Sequence, residues 1–80
     1  MNINSPKQID FISGKLYHVS VVGGDVDIQR YRHDGTTLVT VPGSPILDGE
    51  EKLLRTFSEN GKILVTPSAA LEFNMVAATE

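Results

Sequence analysis

The stretch Gln29-Arg30-Tyr31-Arg32-His33-Asp34-Gly35-Thr36-Thr37-Leu38-Val39-Thr40-Val41-Pro42-Gly43 decides the fold class. It reads as the end of one strand, a tight reversal, a second strand and an exit turn. Asp34-Gly35 is a pair that tolerates positive φ, which two-residue hairpin turns require if the strands are to keep their right-handed twist. From Thr36 to Val41 the residues alternate, with Thr37, Val39 and Val41 on one face and Leu38 and Thr40 on the other. Pro42 has no ladder donor and ends the strand or holds it at an edge.

Working outward, Lys15 to Val22 reads as a strand with Tyr17, Val19 and Val21 on one side and Leu16, His18, Ser20 and Val22 on the other, either of which can face a core. Gly23-Gly24 is a turn, and Asp25 to Arg32 resumes alternation with Val26 and Ile28 inward. Beyond Pro42-Gly43-Ser44-Pro45, Ile46 and Leu47 read as an apolar plug in a connection. Residues 52–57 fit a strand with Leu53 and Phe57 on one face, and also one helical turn; the surrounding strands favour the first reading. Asn60-Gly61 is a second hairpin signal, with positive φ expected there as at Asp34-Gly35. Lys62 to Thr66 and Leu71 to Ala77 complete the alternating runs. The expectation is an all-β chain: a small antiparallel β-sandwich or barrel of about six strands over residues 15–80, preceded by an extended N-terminal arm over residues 1–14.

Composition limits what such a domain does. A chain of 80 residues is one small domain, and its three Phe, two Tyr and absent Trp leave Val, Leu and Ile to fill a thin core. With no Cys there is neither a disulfide framework nor a thiolate site. A thin core without such staples raises the expectation of self-association. The formal charge of −3 argues against nucleic acid as a partner. Arg30, Arg32 and His33 form the one close basic group, which reads most simply as a solvated strand face. No apolar run approaches the ~20 residues of a membrane helix, and Met1 to Pro6 has no signal-peptide pattern, so a soluble protein made in a cytoplasm is expected.

No reaction chemistry is legible. Asp48, Glu50 and Glu51, with Asp25 and Asp27, lack the alternating spacing of a calcium loop and read as loop carboxylates. Gly43-Ser44-Pro45 lacks the second glycine of a nucleophile elbow, and His18 and His33 lack a third ligand. We therefore expect no catalytic residue, no metal and no cofactor. The arm is the candidate interaction element: Ile3, Ile9, Phe11 and Ile12 look surplus to a sandwich this small, and Pro6 biases Ser5 toward extended backbone, so these residues are expected to bind a partner.

With the turns placed, the run from Asp25 to Ala78 resembles a type of small β-sandwich found among virion-associated proteins of tailed bacteriophages, including capsid decoration and head-fibre base proteins. The residues that carry the resemblance are Asp34 to Gly43, Asp48-Gly49-Glu50, Asn60 to Ser68 and the closing strand; Leu38 stands where those domains often have an aromatic residue. The resemblance implies a structural virion component that binds the major capsid protein or another virion protein as a homo-oligomer, a trimer suiting threefold positions. A partner- or ligand-binding sandwich of a bacterial protein is the alternative, with loops as its sites.

Overall fold

A computed structural model describes residues 1–79. Its eight strands are β1 (Asn2–Ile3), β2 (Lys7–Asp10), β3 (Leu16–Val22), β4 (Val26–Tyr31), β5 (Leu38–Thr40), β6 (Glu51–Arg55), β7 (Lys62–Pro67) and β8 (Leu71–Ala77). They form two four-stranded antiparallel sheets, ordered β1-β8-β3-β6 and β2-β7-β4-β5. The all-β sandwich expected from the alternation is what forms, and residues 51–55 are strand.

The order of the strands has a simple logic. Each position in one sheet is matched by a chain neighbour in the other: β1 with β2, β8 with β7, β3 with β4, β6 with β5. The eight strands are thus four ribbons, each bent from one sheet into the other. Short bends suffice for three of them, among them Gly23-Gly24-Asp25, where Asp25 N–H donates to Ser68 Oγ and Ser68 N–H to the Asp25 carbonyl, both at 2.9 Å. The fourth bend is the longer stretch 41–50. Ile46 pairs there with Val26 through two 2.9 Å hydrogen bonds and is fully buried, as a plug should be, whereas Leu47 is exposed.

The core lies between the sheets. Phe73, Ile28, Ile46, Val19, Val21, Val26, Val41 and Val65 are its most deeply buried side chains. This resolves β3, whose Val19 and Val21 face inward and whose His18 and Val22 face out. Burying a large apolar side chain stabilises by roughly 1.5–3 kcal/mol, so aliphatic residues meet most of the demand, with Phe73 at the centre.

Two expectations are corrected. Residues 1–14 are not an arm apart from the sandwich: β1 pairs with β8 and β2 with β7, and Ile3 and Phe11 are core residues. Of the four apolar side chains counted as surplus, Ile3 and Phe11 close the edges of a thin core and Ile9 packs against it, while Ile12 stays exposed. The two turn signals also differ from expectation. Gly35 (φ 76°) and Gly61 (φ 65°) hold positive φ, but among the described residues none other than glycine does, so Asp34 and Asn60 contribute differently. Asp34 sits in a four-residue loop closed by Arg32 N–H donating to the Thr37 carbonyl at 2.8 Å. Asn60-Gly61 ends no hairpin, because β6 and β7 lie in different sheets.

Candidate partner-binding surfaces

The residues expected to bind a partner are dispersed. Ile3 and Phe11 are buried, Ile9 is half-buried against the core, Pro6 is exposed in the bend from β1 to β2, and only Ile12 combines bulk with exposure. Ile12 sits in the crossing from β2 to β3, where its N–H donates to Tyr17 Oη at 2.8 Å. That crossing is tied to the one from β6 to β7: Gly14 N–H donates to the Thr56 carbonyl and Ser58 N–H to Ser13 Oγ. Ser58 is buried, with its hydroxyl 2.6 Å from Asn60 Oδ1.

The outer face of the β1-β8-β3-β6 sheet carries a feature that alternation alone does not single out. Register places Val76, His18 and Leu53 side by side across three strands. Val76 is 62% and Leu53 55% exposed, large values for aliphatic side chains within a sheet. Half-buried Leu16 lies on the same face one row along, opposite Arg55. The next row, Asn74, Ser20 and Glu51, is polar. His18 Nδ1 lies 3.3 Å from Glu51 Oε1, which anchors the imidazole between the two aliphatic groups. The signal was hidden because both faces of residues 16–22 carry apolar residues.

A second surface is the cleft, about 720 Å³, between the β4–β5 hairpin and the end of β6, lined among others by Arg30, Arg32, His33 and Arg55. Arg30 follows Val26 and Ile28 on the inner face of β4, so it marks where the core stops rather than a solvated outer face. Arg55, from the other sheet, was no part of the basic group visible in sequence. Among the described residues Glu59 is the one carboxylate lining this cleft.

The remaining candidates fall apart or serve turns. His18 lies on β3 and His33 in the loop between β4 and β5 of the other sheet, and Ser44 Oγ accepts from Ile28 N–H at 2.9 Å. Asp25 Oδ1 accepts from Asp48 N–H, Asp48 Oδ1 from Gly23 N–H and Glu50 Oε1 from Leu47 N–H, so these carboxylates close backbone turns. Among the described residues no three His, Cys, Asp or Glu side chains gather as a metal site would need. Asp34 Oδ1 accepts from the N–H groups of Thr36 and Thr37, and its Oδ2 from the Thr37 hydroxyl. These bonds, the hydroxyl's foremost, hold its carboxyl well below the usual carboxylate range.

Comparison of the chain with protein-family models, with curated proteins and with solved structures returns no match.

Proposed function

We propose that the protein is a non-enzymatic structural component of a tailed-phage virion, which binds the assembled shell as a symmetric oligomer. The observation that carries this reading is the exposed row Val76, His18 and Leu53, two aliphatic side chains about a histidine on a sheet face that also exposes Val22. Contiguous exposed apolar surface marks a site of association more often than an accident of folding. The shape agrees: extents of 32 × 29 × 19 Å describe a tablet, suited to lying flat on a larger surface. The resemblance of residues 25–78 to virion-associated sandwiches supplies the identity of that surface.

Co-sedimentation with phage heads tests the reading. The wild-type chain should pellet with heads, and Val76→Asp, at an exposed position remote from the core, should melt normally yet stay in the supernatant. Equal pelleting of both, or of neither, overturns the assignment of this face to the shell.

The cleft favours a second reading, a ligand-binding module in which the guanidinium groups of Arg30 and Arg32 hold an anion. Titration with inorganic phosphate, followed through the arginine side-chain signals in NMR, separates the two: saturable shifts at Arg30 and Arg32 favour the module.

A further inference from the structure

We infer that the open edge of β6 pairs antiparallel with the same edge of a second copy, about a two-fold axis at Leu53. β6 is the last strand of its sheet. The Glu50 carbonyl accepts from Val21 N–H at 3.3 Å and the Thr56 carbonyl from Gly14 N–H at 2.9 Å, so residues 50, 52, 54 and 56 turn their backbone groups inward. Alternation along the strand then aims the backbone groups of Glu51, Leu53 and Arg55 at the open edge. The side chains of these three residues share the outer face, across from Ser20, His18 and Leu16.

Antiparallel pairing centred on Leu53 sets that residue against its own copy. It also sets Glu51 against the second copy's Arg55, and Arg55 against the second copy's Glu51. Opposite charges directly facing across strands stabilise the pairing, and like charges oppose it. An edge protected from self-pairing carries proline, a bulge, or charges that repel when two copies meet. Here the charges are unlike and equidistant from Leu53, so the two-fold arrangement brings each carboxylate to a guanidinium. The residues whose backbone groups point outward are those whose side chains match, which a single register satisfies. Pairing doubles the four-stranded sheet and joins the two Val76, His18 and Leu53 rows into one strip. The contact rests on the proposed function only for self-association itself, and its symmetry is two-fold where the resemblance implies three-fold.

Sedimentation equilibrium and a charge exchange test this. The wild-type chain should show twice its 8.7 kDa mass. Glu51→Arg and Arg55→Glu should each weaken the dimer by about tenfold or more, since both facing pairs become repulsive. The double variant carrying both changes should recover it. Leu53→Pro removes an outward N–H and no bond to β3, so a normally melting Leu53→Pro monomer is also expected. A wild-type monomer or trimer, unchanged mass in the single variants, or no recovery in the double variant overturns the inference. Pelleting with phage heads reports separately: a monomer that pellets sinks only the dimer, and a dimer that does not pellet sinks only the shell reading.

Discussion

At the residue scale, Asp34 and Asn60 show how a turn signal works when the backbone angle is not what it specifies. Each precedes a glycine that does hold positive φ, while its own carbonyl or carboxylate oxygen accepts neighbouring N–H groups: Thr36 and Thr37 for Asp34, Lys62 for Asn60. Gly35→Val and Gly61→Val should each destabilise by about 1–3 kcal/mol, measured as shifts in urea midpoint. Gly61→Val should cost the more, because a Cβ there would lie 3.2 Å from the Phe11 carbonyl oxygen, whereas nothing lies within 4 Å at Gly35. Asp34 adds a pH dependence. Its carboxyl titrates lower in the folded chain than in the unfolded one, so its contribution is complete above the unfolded value and lost as pH falls through the folded one. Midpoints should therefore decline from about pH 4 toward pH 2, and less steeply in Asp34→Ala; parallel curves for the two proteins would contradict this.

At the element scale, β1 and β2 are the strands that sequence reading put in the wrong place. Two and four residues are too few for a period to register, and Pro6 and Gly14 look like interruptions rather than bends between paired strands. The longer runs, β3, β4, β7 and β8, were legible because six or seven alternating residues fix a face once one side is apolar. Which side of β3 faces the core was not legible, and that ambiguity concealed the Val76, His18 and Leu53 row. The correction has a direct test. Ile3→Ala should destabilise by about 2–5 kcal/mol, as for other buried aliphatic truncations, while Ile12→Ala at a 63% exposed site should stay within about 0.5 kcal/mol. Deleting residues 1–12 should yield an unfolded chain by circular dichroism. A folded deletion variant would restore the picture of a separable arm.

At the scale of the whole molecule, the decisive fact is that of the seven connections between strands only β4 to β5 stays within one sheet. Turn residues announce that a chain reverses, not whether it returns to the same layer, so this interleaving could not be read from glycines and asparagines. Neither sheet is a unit of stability, and unfolding should be all-or-none, with far-ultraviolet dichroism and tyrosine fluorescence tracing one coincident transition in urea. Displaced transitions would mean that one layer survives alone. The bent-ribbon order also has a consequence during synthesis. β1 and β2 find their partners in β8 and β7, which are made after the other six strands. At ~5–20 residues per second on the ribosome, the nascent chain spends seconds with Ile3 and Phe11 uncovered, and closure waits for the final ribbon to slide between the first and second. Closure of the sandwich is thus set by the emergence of β8 rather than by growth from its first strand.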